Sequence, residues 1–437
     1  MNKRIGIIGL IFFLLIGMGS TAGAKSQGAK LKIDEKVLND GIMIKDGSML
    51  ISQQLLEKQL GIKVDYQENL YSFSKGDIKF TMNNDTHILL YGAKASHIDT
   101  AIVRQNNQVY FPLKYISYTM GYDLKWDKQA KLATVNTKVK EHITDVNMKV
   151  LSGPTAVSAA NFINQAIFVG PHTHVNVEIL SQPQLANASV LSKEADIVTL
   201  PTNTAAILFN KKADYKVAGV ILWGNLYLAS TEIKDIKDIK GKEIFLTGKG
   251  ATPDIVLRMK LKDLGLNPDK DVKLTYLPGA QELAAYMISG KAKTAVLPEP
   301  ILTKVLMNNK KASMIDDFQK YWQKKYKTAL GYPQTVIFIK NDLLKKSPNV
   351  VDALLSEYAY GVEQIEKHPE IMAREGAKLD IGLNEAVLKQ ALPRSYFSYQ
   401  NAAEAKKSIE AYLKVLYAFD KKTIGGKMPS DSFYYIK

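Results

Sequence analysis

Residues 241–303 constrain this chain most. A short apolar strand, Glu243–Leu246, runs into Gly248-Lys249-Gly250, and a helix opens on Thr252 and Pro253. Threonine suits an N-cap, proline the first helical position and Asp254 the first turn. Leu257, Leu261 and Leu264 follow at helical spacing, and Gly265 ends the helix. A second helix, about Gln281–Ser289, leads to the strand Thr294–Leu297 and then to Pro298-Glu299-Pro300. Repeated strand–helix units predict a parallel sheet whose loops meet ligands at the carboxyl ends of the strands. A glycine turn before a helix offers unpaired backbone N–H groups to an anionic or polar ligand. An ordinary βα turn is the alternative for so short a motif.

The chain has 437 residues, too many for one ordinary core, so two or three domains are expected. Lys3 and Arg4 precede an apolar run from Ile5 to about Met18, and Ala22-Gly23-Ala24 supplies a small-residue cleavage site. Residues 1–24 therefore read as a secretory signal peptide, too short for a comfortable membrane span. There is no cysteine. Disulfides, thiolate metal sites, a cysteine nucleophile and a lipid-modified cysteine anchor are all excluded. The expected location is periplasmic, with secretion as the second reading. Net charge is +15, carried mostly after residue 137 by lysines scattered on amphipathic helices. That pattern is a solvated face before it is a nucleic-acid site. No basic run interleaves with aromatics as a single-strand groove requires, so no nucleic-acid partner is expected.

Residues 31–137 contain an internal echo at a period of 60. Leu50-Ile51-Ser52 matches Tyr110-Phe111-Pro112, Leu60-Gly61 matches Met120-Gly121, and Val64-Asp65-Tyr66 matches Leu124-Lys125-Trp126. Each copy reads as strand, short helix, glycine stop and strand, which predicts a small α+β module. A polar linker, about Thr137–Asp145, follows.

The remainder, 146–437, alternates strands and helices. Met148–Leu151 leads to Ser152-Gly153-Pro154 and a helix from about Thr155; Ala195–Leu200 leads to Pro201-Thr202-Asn203 and another helix. The apolar run Lys216–Ser230 is too long for a typical strand. A crossing between two lobes explains it better. Thr335–Ile339 is a strand again, so the path goes from one lobe to a second and back. The first lobe spans about 146–225 and 333–437, the second about 230–330. Two such lobes with loops facing one cleft suit hinge closure around a solute.

Two resemblances emerge from these residues. Tyr110-Phe111-Pro112-Leu113, the Gly121 stop and Leu124-Lys125-Trp126-Asp127 make residues 31–137 similar to the copper amine oxidase N-terminal-like stalk module. It implies a spacer or interaction role, with a cell-envelope component as a candidate partner, and no copper chemistry. Ala195–Asn203, Trp223-Gly224-Asn225-Leu226, Gly248–Pro253 and Leu297-Pro298-Glu299-Pro300 resemble, in order and spacing, the nitrate/sulfonate/taurine type of ABC-transporter solute-binding protein. This implies an α/β, two-lobed type II periplasmic binding protein fold behind the small α+β module. It further implies reversible capture of a sulfonate, taurine, nitrate or related heterocycle, delivery to an inner-membrane permease, and no cofactor or catalysis. A monomer is expected.

On that reading the cleft is lined by Gly153, Pro154 and Thr155 from the first lobe's opening loop, by Thr202 and Asn203, by Trp223 and Asn225, by the nest Gly250, Ala251 and Thr252, and by Glu299. Trp223 would stack on a planar ligand, and Glu299 would accept from an amine. Structural readings stay open: interlobe packing for Trp223, an N-cap for Thr202, and a carboxylate satisfied by a helix start for Glu299. A bare carboxylate beside a sulfonate is repulsive unless compensated, which favours a zwitterionic or amino-bearing solute.

Enzyme motifs are thin. Gly248 does not open a P-loop, and GxSxG and HExxH are absent. His172-Thr173-His174 has a spacing some copper sites use, but a solvent-exposed loop is the better reading, and no metal is expected. The alternative function is an envelope sensory or cell-wall/protein interaction protein built on the same fold. Cleavage after Ala24 is expected, so exported protein should begin at Lys25; intact-mass measurement checks this, and retention of residues 1–24 would mean a tethered form.

Overall fold

The computed structural model describes residues 28–127, 129–138, 144–164, 167–171 and 173–436. The leader, part of the linker and His172 lie outside the described residues. No helix among the described residues is long and apolar enough to cross a membrane.

In the first module, strand Ser48–Ser52 leads to helix Gln53–Leu60, and strand Gln108–Pro112 leads to helix Leu113–Thr119. The two strands pair antiparallel, with Phe111 opposite Ile51. The repeat is thus a structural one, its equivalent strands zipped together. Ser52 caps its helix through a side-chain bond to the Leu55 N–H, whereas Pro112, at the matching position, makes no such cap. A five-stranded antiparallel meander, residues 63–97, starts with the last strand of the first copy and continues toward the second. Leu31, Phe73, Phe80, Phe111 and Ile116 fill the module's core.

The second unit has two mixed sheets. The six-stranded sheet runs in the order Thr173–Leu180, Thr144–Leu151, Ile197–Pro201, Thr335–Lys340, Tyr215–Leu222, Phe397–Asn401. The five-stranded sheet runs Lys273–Leu277, Glu243–Thr247, Thr294–Pro298, Leu226–Ser230, Ser313–Asp317. The expected parallel pairing is corrected at three strands, one of them Phe397–Asn401, which is antiparallel to Tyr215–Leu222. Thr335–Lys340 is antiparallel to Ile197–Pro201, and Leu226–Ser230 is antiparallel to Thr294–Pro298. Each of these last two strands enters its sheet from a crossover at the carboxyl ends of the parallel strands. It must therefore run away from that edge, against its neighbours.

The long apolar run does split. Tyr215–Leu222 belongs to one sheet and Leu226–Ser230 to the other, joined by Trp223-Gly224-Asn225. The return passes through Gly331-Tyr332-Pro333-Gln334 into Thr335–Lys340. The two passages touch. A Cβ on Gly331 would sit 2.4 Å from the Trp223 carbonyl oxygen, and one on Gly224 2.5 Å from Gln319 Cγ. Gln319 Oε1 accepts from the Leu226 N–H at 3.0 Å and from the Tyr332 hydroxyl at 3.2 Å, bracing both passages.

Gly331→Ala should lower stability by about 1–3 kcal/mol, because the methyl group meets backbone with nowhere to go. Urea unfolding checks this; an unchanged midpoint would mean the crossing relaxes freely.

Candidate functional site at the interlobe cleft

The carboxyl ends of the parallel strands carry nearly all the sequence-derived candidates. Gly153 follows strand Thr144–Leu151, and Pro154 and Thr155 start a buried helical turn behind it. Gly250 lies in the turn after Glu243–Thr247. A Cβ on either Gly153 or Gly250 meets no atom within 4 Å, so both turns border open space.

The other candidates are held by the protein itself. Thr202 is fully buried; its N–H donates to the Gln334 carbonyl at 3.1 Å and its hydroxyl to the Pro333 carbonyl at 2.8 Å. It fastens the helix start at Thr202–Asn210 to the return passage. Asn203 Nδ2 reaches the Thr423 carbonyl at 3.4 Å. Trp223 is 1 % exposed. Its backbone N–H donates to the Tyr396 carbonyl at 3.0 Å and its indole N–H to the Ser398 carbonyl at 2.8 Å. Both acceptors lie in the first lobe, so these bonds anchor Trp223 there, while its buried ring joins an apolar cluster that includes Leu226 and Phe318 of the second lobe.

The glycine nest is closed from within. The Gly250 N–H donates to Asp254 Oδ2 at 2.8 Å, and the Ala251 N–H to the Gly248 carbonyl at 2.8 Å. The helix begins at Thr252 with Ala251 as its cap residue, one position earlier than the sequence suggests. Buried Asp254 is a resident anion at this helix start, where the helix dipole favours negative charge. Arg258 Nε and the Tyr276 hydroxyl donate to its other oxygen at 2.7 and 2.9 Å. The Thr252 hydroxyl lies 2.6 Å from that of Tyr412, on a helix of the other lobe.

Asn225 and Glu299 do come together. The Glu299 N–H donates to the Asn225 carbonyl at 2.9 Å, and Asn225 Nδ2 to the Glu299 carbonyl at 3.3 Å. The Glu299 side chain has no solvent exposure. Oε2 accepts from the Thr303 N–H at 3.1 Å, the helix-start reading. Oε1 accepts from Arg394 Nε at 2.6 Å. Arg394 belongs to the short turn Leu392–Arg394 before the first-lobe strand Phe397–Asn401. Its Nη2 also donates to the Thr303 hydroxyl, and its carbonyl accepts from the Tyr227 hydroxyl. A further interlobe bond joins the Tyr396 hydroxyl to Asp317 Oδ2 at 2.7 Å. Burial pushes the Glu299 carboxyl above its ordinary value, and the Arg394 charge opposes that shift. The compensation that an anionic solute would require is therefore built in.

Sequence reasoning missed Arg394, Tyr227 and Tyr396. Arg394 lies 95 residues from Glu299, and nothing in Leu392-Pro393-Arg394-Ser395 announces such a partner. His174, from the discounted copper reading, is exposed on an outer strand of the six-stranded sheet.

Comparison with known proteins bears on the fold. Residues 181–377 match the NMT1-like family, and residues 35–137 and 89–182 match the copper amine oxidase N-terminal domain. An ABC transporter structure from Parabacteroides distasonis is 26% identical with a TM-score of 0.60, over 67% of this chain and 99% of that one. The periplasmic aliphatic sulphonate binding protein from Escherichia coli is 15% identical with a TM-score of 0.51, over 65% and 89% of the two chains. A putative periplasmic sulfonate-binding protein from Methylobacillus flagellatus is 18% identical with a TM-score of 0.50, over 65% and 88%. No curated protein sequence matches.

Arg394→Met should destabilise the fold by about 3 kcal/mol, because it strands a buried carboxylate; adding Glu299→Gln should recover much of that. Thermal unfolding of the two variants checks it, and equal losses in both would mean that the ion pair is not the cause. The second unit thus has the two-lobed α/β fold of the periplasmic solute-binding proteins of ABC transporters, behind a module that matches the copper amine oxidase N-terminal domain.

Proposed function

We propose that this chain is the extracytoplasmic solute-binding component of an ABC importer. It captures one small polar or anionic solute between its lobes and delivers it to a membrane permease, without catalysis. The observation that carries the reading is the double passage at 223–225 and 331–334, with the Gly153 and Gly250 turns facing open space from opposite lobes. Sulfonates, taurine, nitrate and aminopyrimidines are the first solutes to test. Neutralisation of Glu299 by Arg394 removes the objection to a plain anion, so an amino group on the solute is not required. First-lobe contacts come from Gly153, Pro154 and Thr155. Second-lobe contacts come from around Asn225 and from the outer surface of the Gly250 turn, whose Gly250 and Ala251 N–H groups are already taken by Asp254 and Gly248, with Trp223, Thr202 and Glu299 as supports.

Trp223 sits in the passage itself, so lobe movement changes its surroundings. Native mass spectrometry of exported protein should reveal one small molecule per chain. Titration with the solutes above should give a saturable tryptophan signal that Trp223→Phe abolishes. Absence of any retained molecule together with no response to any of these solutes would end the proposal.

A further inference from the structure

The 20-residue helix Pro348–Lys367 is occupied on two sides. Toward the solute loop, a Cβ on Gly361 would lie 2.5 Å from the Ser158 carbonyl oxygen. Toward the module, Lys114 Nζ donates to Ser356 Oγ at 2.6 Å, and Asn349 Nδ2 donates to the Tyr122 carbonyl at 2.8 Å. The His97 ring stacks on Tyr360 at 4.0 Å. The module is therefore seated on the first lobe.

Glu357 stands between the two sides and is 4 % exposed. Its Oε1 accepts from Ser96 Oγ at 2.8 Å and from the His97 backbone N–H at 2.7 Å, both in the module. Asn161 Nδ2 donates to the Glu357 carbonyl at 3.2 Å and reaches Oε2 at 3.4 Å. Asn161 lies in the helical stretch that opens at Pro154, directly behind Gly153. Beyond that stretch, the Phe168 N–H donates to the Ala95 carbonyl at 2.8 Å, and its ring stacks on Tyr91 at 4.6 Å inside the module core. A buried carboxylate is costly to place, and an apolar residue would serve plain packing better.

We propose that Glu357 is a positioning residue for the solute loop: it ties the helical stretch behind Gly153-Pro154-Thr155 to the module, so that module and first lobe set this loop together. The proposal rests on the cleft assignment above for its function, but the physical tie does not. Around this corner, the module presents Lys114, Asp99, His87, His97 and Tyr115. The helix presents Tyr360, Glu363 and Lys367. Asn161 is the polar group from the loop side. Burial pushes the Glu357 carboxyl up to about 6, against its hydrogen bonds and the Lys114 charge. The seated form thus holds its proton more tightly than an exposed glutamate. Its contribution is full below the ordinary carboxylate value and is lost as pH rises through about 6.

Hydrogen exchange of the complete chain tests this without any solute. From about pH 5 to about pH 7.5, corrected for intrinsic rates, protection at 95–98 and at 154–164 should fall together. Glu357→Gln should flatten that dependence. Glu357→Ala should raise exchange about tenfold in both segments. A rise at 95–98 with 154–164 unchanged would overturn the proposal, as would a wild-type pH series as flat as that of Glu357→Gln. If Glu357→Ala does not fold, the wild-type series and the glutamine variant decide it. Titration with sulfonates, taurine, nitrate and aminopyrimidines bears on the cleft alone: failure to bind any of them removes the cleft and leaves the exchange result standing.

Discussion

Two chain passages pressed against each other hold the second unit together. Gly331 lies under the Trp223 carbonyl, Gly224 lies against Gln319, and the Gln319 amide oxygen binds a donor from each side. This crossing fixes the direction of Leu226–Ser230 and Thr335–Lys340, hence the mixed pairing of both sheets. It also fixes Thr202, which hangs from Pro333 and Gln334, and Trp223, which hangs from Tyr396 and Ser398. Residues that look like ligand contacts by their chemistry are here occupied in keeping two peptide segments close. A hinge needs such ties, because each passage alone leaves the lobes free to twist.

The second lobe handles its two buried carboxylates by the same rule. Asp254 sits on a helix start with Arg258 and Tyr276 as donors. Glu299 sits on a helix start with Arg394 as its cation. Each carboxylate is neutralised by a partner and satisfied by backbone, which is what makes an ionised group tolerable inside a protein. The difference lies in where the cation comes from. Arg258 is four residues along the same helix as Asp254, whereas Arg394 comes from the other lobe.

Local pattern made much of this legible. The glycine stops, the repeat at 60 residues, the strand–turn–helix units and the over-long apolar run were all readable, because each is written in neighbouring residues. The long run 216–230 pointed to a crossing through its length alone. The strand directions at the crossing were not legible, since they follow from which edge the chain enters. Nor were the partners of the candidate site residues. Gly250 reads as a free donor until Asp254 turns back onto it. Glu299 reads as a ligand acceptor until a segment 95 residues later supplies an arginine. Periodicity reports which face is buried and carries no record of distant pairing.

The winding of the chain has a consequence for its assembly. Residues 226–317 build the second lobe's sheet without interruption, so that lobe can form from one continuous stretch. The first lobe cannot: Ile197 needs Ile339, and Gly219 needs Asn401. The module's seat needs still longer reach, since Ser96 meets Glu357 across 261 residues. Closing such loops costs entropy before any contact rewards it. The part of the described chain that is made first is therefore among the last to be docked in its place.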